Sequence, residues 1–253
     1  MTFLAAAKPQ ITIGDNPTFK IGPLTFDTYV IFATLVAAAI VLFLTFRMRA
    51  RATSGVPGKL QLVFEYLVEQ VRELTQSTMG DAGEQWVPLG VMLFFFILVC
   101  NWLEFLPSTL QVGVSQEILP APTSDVNLPL AMALSVFVLC QAIAVKNRGW
   151  GGYFAHYTKP YKLMTPINVI EELTRPITLT FRLFGNLFAG ALMITVVSVV
   201  GSQILGSIGS LVLTGLWTAV WKPFDTILIG AIQALIFALL TIMYLGMATA
   251  KDH

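Results

Sequence analysis

Three features of the amino-acid sequence predict an all-α polytopic membrane protein. Of its 253 residues 56% are hydrophobic and only 11% are charged, and the mean hydropathy of +0.76 lies well beyond the balance of a soluble domain. The apolar residues are gathered into runs long enough to cross the hydrocarbon layer of a bilayer, for which about 20 helical residues suffice. Lys and Arg cluster at alternate ends of those runs, as they do when basic residues stay on the cytoplasmic side.

Composition also excludes several classes of function. A net charge of +1 supplies no basic patch for nucleic acid. Cys100 and Cys140 sit inside apolar runs, where a thiol serves as a small buried hydrophobe, and no disulfide framework or metal spacing surrounds them. No nucleotide loop or catalytic triad is present, so no cofactor is expected. The apolar FLAAA that ends at Lys8 and Pro9 is shorter than the roughly 7–15 residues of a signal-peptide core, and no cleaved signal is predicted.

We read residues 1–253 as a single membrane domain with about five spanning helices and one amphipathic helix. Residues 1–25 are turn-rich and are expected to form an outer tail. Residues 26–46 make the first crossing, and Arg47, Arg49, Arg51 and Lys59 at its end mark the cytoplasm, which puts the N-terminus outside. Residues 59–79 carry Leu60, Phe64, Leu67, Val71 and Leu74 at helical spacing with Glu65, Glu69 and Glu73 opposite. Such a helix lies along the interface or packs on a partner. Residues 86–106 cross outward, and the loop that follows holds Glu117 and Asp125 without a Lys or Arg. Residues 128–145 return to Lys146, Arg148, Lys159 and Lys162, in a loop where His156 is read as an ordinary exposed histidine. Residues 165–200 and 216–250 form two long, tilted helices joined by a Gly/Ser-rich turn at 201–215, with Lys251 returning the C-terminus to the cytoplasm. Lys8, Lys20 and Lys222 are the exceptions on the outer side.

The chemistry concentrates in EELTRPITLTFRLFGNLFAGALM, from Glu171 to Met193. An ionised arginine at the bilayer centre costs about 2.5–3.5 kcal/mol on insertion scales. At about 100° per residue, Glu171, Arg175, Arg182 and Asn186 share one face of this helix. A polar stripe of this kind faces protein or water and marks an ion or proton pathway. Arg175 has Glu171 four residues and Glu172 three residues before it, the spacing of helical ion pairs. Gln233 lies on the last helix, where a glutamine hydrogen-bonds a neighbouring helix, and the one that carries Arg182 is the natural partner. Asp225 and Glu104, the latter one turn beyond Asn101, fall near the outer side, where each is either solvated or part of a water-filled cleft.

At RLFGNLFAG (Arg182 to Gly190), preceded by EELTRPITLT, the sequence resembles subunit a of the F-type ATP synthase. NWLEFLP (Asn101 to Pro107), PAPTSDVN (Pro120 to Asn127) and IQALIFALLTIMYL (Ile232 to Leu245) support the resemblance in the same order. It implies a membrane stator subunit of the FO sector, bacterial type, without an ATP site of its own. It further implies two proton half-channels that meet a ring of c subunits on either side of an essential arginine, here Arg182, with Gln233 as the family's last-helix glutamine. The partners it implies are the c-ring and peripheral-stalk b-type subunits in the bacterial plasma membrane. Many bacterial members carry Glu after the glycine of this motif, working with a last-helix histidine; here that position is Ala191 and the last helix has no histidine. Asp225 and Glu104 are then the candidates for the outer half-channel, and Glu171 and Glu172 for the inner one. A stand-alone secondary transporter with the polar stripe as its binding site is the alternative. Such transporters often carry internal repeats, and none is visible in this sequence.

Overall fold

The computed structural model describes residues 18–21, 24–53, 55, 58–105, 121–158 and 161–249. Lys8, Glu117, Lys159, Lys251 and most of the expected outer tail lie outside these residues, as does the side chain of His156. Among the described residues the fold is all-α apart from a short antiparallel pair, Thr18–Ile21 with Leu24–Asp27, at the end of the stretch read as a turn-rich outer tail. Asp27 ends that hairpin and starts the first helix. Its Oδ1 accepts from the backbone N–H groups of Tyr29 and Val30 at 2.9 and 3.3 Å, closing donors that a helix start leaves open.

Helix α1 (Thr28–Arg51) therefore begins two residues later than hydropathy suggests and runs on through the arginines. Its buried residues, Ala33, Ala37 and Val41, lie four apart on one narrow face. Phe32, Leu35, Phe43 and Phe46 are left exposed, as befits a helix with lipid around most of it. Helix α2 (Lys59–Met79) is amphipathic as its spacing predicts, and part of its apolar face, Phe64, Val68, Val71 and Leu74, packs within this chain. Val71 and Ile242 both close on Gly90, and Thr78 packs over Gly246. A turn of 3₁₀ helix at Gly80–Trp86 leads into α3 (Val87–Leu103).

Helix α3 is the most enclosed segment. Ile97 and Cys100 have no exposed surface, and Asn101 has almost none. Its core partners are Ala234, Phe237 and Leu245 of the last helix, with Leu179 and Leu183 joining from the helix that begins at Thr165. Helix α4 (Asn127–Tyr157) contains the expected span of 128–145 and runs on beyond it. Lys146 and Arg148 end a first arm, and Gly149, at φ 69° and ψ 166°, redirects the chain into a second arm. There Tyr153 and Tyr157 meet edge to face, their ring centroids 5.3 Å apart. Apolar aromatic residues at helical spacing keep this segment helical where charge alone suggested a loop.

The last two helices form one hairpin with a sharper turn than its composition implies. Helix runs from Thr165 to Pro223, and among the described residues only Gly206, at φ 70° and ψ −177°, leaves helical geometry. We call the arms α5 (Thr165–Ile204) and α6 (Gly209–Thr249). Gly and Ser in this region let the arms approach: Ser210 Oγ donates to the Ser198 carbonyl at 2.9 Å. Within α6, Pro223 has no N–H to give to the carbonyl four residues back, and the helix widens into one π turn at Phe224–Ile229. Five helices, α1 and α3 to α6, are long and apolar enough to cross a membrane.

The backbone at Gly206 lies in a region that residues with a Cβ occupy at a cost of about 1–3 kcal/mol. Gly206→Ala is expected to lower the thermal unfolding midpoint of the purified protein in detergent. Gly215→Ala serves as the control, since that glycine is helical with nothing within 4 Å of a new methyl; an equal loss in both variants would show that Gly206 is not a conformational requirement.

Candidate functional site

Polar residues inside this apolar fold gather at two levels, with Arg182 between them. The first cluster lies where α4, α5 and α6 meet. Arg175 Nη1 stands 3.1 Å from Glu172, and its Nη2 stands 3.5 Å from Glu171. The two carboxylates differ in setting, since the Glu172 side chain is 21% exposed and that of Glu171 is 68% exposed. Gln141 Nε2 donates to Glu172 Oε1 at 2.8 Å, and Gln141 Oε1 accepts from the Tyr153 hydroxyl at 3.0 Å. Tyr153 and Tyr157 hydroxyls are 3.1 Å apart, continuing the chain of bonds toward the end of α4. Burial, the bond to Tyr153 and the charge of Glu172 push the Tyr157 phenol well above its ordinary range, so it remains a neutral donor. The Arg175 guanidinium also sits over the Tyr244 ring, 5.3 Å from its centroid, a cation–π contact from α6. These groups surround a cavity of about 280 Å³. Pro176 brings no N–H for the Glu172 carbonyl.

The second cluster lies between α3, the loop before α4, and the π turn of α6. Thr123 Oγ1 donates to Asn101 Oδ1 at 2.9 Å, and Asn101 Nδ2 donates to the Gly230 carbonyl at 3.0 Å. Glu104 is half-buried one turn along from Asn101. Asp225, for which a solvated interfacial position was one reading, is only 5% exposed. Its carboxylate rests directly on Gly190 of α5, so closely that a Cβ at residue 190 would collide with Oδ2. Glycine is required there because two helices and a carboxylate share the space. The side chain of Ala191 lies outside the described residues.

Arg182 occupies the level between these clusters. From Glu172 it is ten residues along α5, roughly 15 Å, and from Gly190 it is eight, roughly 12 Å. The hairpin register sets its neighbour: Gly190 meets Asp225, so stepping eight residues along each antiparallel arm brings Arg182 level with Gln233. Leu179, Leu183 and Leu187 fill the side of α5 that is buried, and Arg182 is exposed. Among the described residues no hydrogen bond or ion pair holds its guanidinium. The expected bond between Arg182 and Gln233 is therefore not made, because leucines take the inward face and turn the arginine outward. Gln233 Oε1 and Thr226 Oγ1 are buried without a protein partner among the described residues.

The single polar stripe read from the sequence is divided. Cys140 and Gln141 of α4 cover the Glu172–Arg175 edge of α5 and draw Arg175 into the cavity. Asn186 is half-buried and Glu171 points outward. Around Arg182 the outward face is apolar, with Phe181 and Phe188 exposed, and Gly185 has open space where a Cβ would be. Gln141, Tyr153, Tyr157, Thr123 and Thr226 escaped the sequence reading. Gln141 alone left a clear signal, as the one amide inside the apolar run of α4.

The site can be set beside known proteins. Residues 30–246 match the family model described as ATP synthase A chain. The chain is 43% identical over 244 residues to ATP synthase subunit a of Acidothermus cellulolyticus, an alignment that covers 95% of this chain and 84% of that protein. It is 39% identical over 259 residues to ATP synthase subunit a of Mycobacterium tuberculosis, covering 100% of this chain and 98% of that protein. For ATP synthase subunit a of Limosilactobacillus reuteri the identity is 37% over 237 residues, covering 92% and 97%.

Overpacking at a tight contact costs about 1–3 kcal/mol, so Gly190→Ala is expected to destabilise the α5–α6 hairpin by that amount. In a double-mutant cycle on the purified protein, Asp225→Ala should remove most of the penalty, because it deletes the atoms in the way. Additive effects of the two substitutions would show that the residues do not touch.

Proposed function

The chain belongs to the ATP synthase A chain family, and on that premise we propose that it forms two proton half-channels beside a c-ring and couples proton passage to ring rotation. A family member of this kind is a multi-pass subunit of the FO sector of the F-type ATP synthase, in the bacterial plasma membrane, with no ATP site of its own. The observation that carries the finer reading is Arg182, a cation exposed on an apolar helix face at mid-span. In lipid that exposure is costly. Against a neighbouring subunit that offers a carboxylate it becomes an ion pair, and the c-ring carboxylate is the partner the family implies. Gly185 and Ala189 on the same face leave room for a second helix to approach.

The two clusters then take the two ends of the route. Glu104, Asn101 and Asp225 line the outer half-channel. The buried, unpartnered oxygens of Thr226 and Gln233 extend it toward the arginine, since polar atoms so buried normally bond water. A proton from that side neutralises a c-ring carboxylate, which can then leave the arginine and pass into lipid. After nearly a full turn the same carboxylate returns, and the fixed charge of Arg182 lowers its pKa. The proton leaves toward Glu171 and Glu172, which stand beside Arg175. The same charge bars protons from running straight between the two half-channels. The ion is H⁺, with the N-terminus outside and the C-terminus cytoplasmic, in keeping with the basic clusters. The peripheral-stalk b-type subunits complete the stator.

This reading explains Ala191. Where many bacterial relatives have Glu, this chain has a methyl, and Asp225 of α6 rests on the adjacent Gly190. The acid reaches nearly the same place from the opposite helix.

In inverted membrane vesicles, Arg182→Ala should abolish ATP-driven proton pumping and ATP synthesis while ATP hydrolysis persists; retained pumping would falsify the assignment. Asp225→Asn should slow proton entry from the outer side by roughly 100-fold or more, in the range that loss of a positioned proton carrier produces. Adding Ala191→Glu to that variant should recover much of the rate, and no recovery would remove Asp225 from the outer route.

A further inference from the structure

A cleft formed by α1, the start of α2 and α3 contributes nothing to the route through Arg182. It encloses about 410 Å³, and a second hollow of about 810 Å³ shares its lining residues Val41, Thr45, Phe64 and Phe95. Both volumes fall within the range of ligand pockets, roughly 300–1,000 Å³. Phe64 and Phe95 are stacked, with ring centroids 5.0 Å apart and planes 10° apart, so the apolar wall is flat and continuous.

The lining divides by chemistry along its length. Val41, Leu44, Val63, Phe64 and Phe95 make the apolar part, and Arg47, Arg51 and Lys59 stand at the end where α1 passes into α2. From Val41 to Arg51 is ten residues of helix, roughly 15 Å. Among the described residues no carboxylate lines this first cleft. Arg72, which borders the second hollow, is by contrast already matched, 3.0 Å from Glu69 and 3.5 Å from Glu84. Gly58, the N-cap of helix α2, puts no side chain on its first turn, so its open N–H groups add to the positive field at the same end.

We propose that this cleft holds one anionic phospholipid of the leaflet that Arg47 and Lys59 face. Its headgroup phosphate lies among Arg47, Arg51 and Lys59, and an acyl chain runs along Val41, Phe64 and Phe95. Charge complementarity selects this occupant. A single lipid supplies both an apolar chain for the hollow and an anion for three cations. A protein helix laid in the same cleft fills the apolar part and leaves the cations without a partner.

The test is native mass spectrometry of the assembled membrane complex, offered phosphatidylglycerol and phosphatidylcholine of equal chain length. Phosphatidylglycerol is expected to be retained in preference. Arg47→Gln combined with Arg51→Gln should weaken retention roughly 25-fold, at about fivefold for each cation near the surface. Val63→Trp, which fills the hollow without changing charge, should weaken it as well. Arg49→Gln should leave it unchanged, because Arg49 lies on the same end of α1 but outside the cleft. Equal retention of both lipids overturns the proposal, and so does an Arg49→Gln variant as impaired as Arg51→Gln. Capture of a protein subunit in place of lipid by a photo-crosslinker at Leu44 overturns it in favour of a protein occupant.

Discussion

A charge placed inside an apolar slab has to be compensated, and the architecture of this protein follows from how it meets that demand. Two answers are present. Arg175 is compensated within the chain, by Glu172 at 3.1 Å, Glu171 at 3.5 Å and the ring of Tyr244. Arg182, two turns further along the same helix, is left to face outward from an apolar surface. The first arrangement makes a self-contained junction of α4, α5 and α6. The second leaves a cation without a partner among the described residues.

The packing supports this division of labour. Helices α3 and α6 supply the fully buried core, with Ile97, Ala234, Ile242 and Leu245 at its centre, and they also carry Asn101, Asp225, Thr226 and Gln233. Groups on such a frame are held in place by their neighbours, which suits a site that has to keep its geometry while something else moves past. Helix α5 contributes only one edge to that core. Most of its surface is apolar and exposed, as expected of an element whose main contact lies outside this chain.

The spanning helices were legible because hydropathy over twenty residues outweighs any local detail. The two ionic levels were legible as well, since charged residues stand out in such a background. What could not be read is which way each polar residue turns. Glu171, Arg175, Arg182 and Asn186 share a face by helical periodicity, yet α4 draws Arg175 inward while leucines one step away turn Arg182 out. That outcome depends on tertiary contacts such as Gln141 with Glu172, 31 residues apart in sequence. Gly149 was equally opaque, because a glycine in apolar sequence reads the same whether it continues a helix or breaks it. That Asp225 rests on Gly190, next to Ala191, required the hairpin register, which no single helix contains.

The π turn at Phe224–Ile229 bears on how such a chain can vary. A π turn holds one more residue than the α-helical turn it replaces, and a surplus residue rotates everything beyond it by about 100°. Asp225 lies inside this turn, and Gln233 lies past it. The angular relation between the acid on Gly190 and the glutamine level with Arg182 is therefore set by one extra residue rather than by the identity of any side chain. Deleting a residue between 224 and 229 would give a more regular helix from the same composition, with its two polar groups out of phase. Relatives that differ by one residue in this stretch are best compared by the helix face each residue occupies, because position in a linear alignment would pair the wrong side chains.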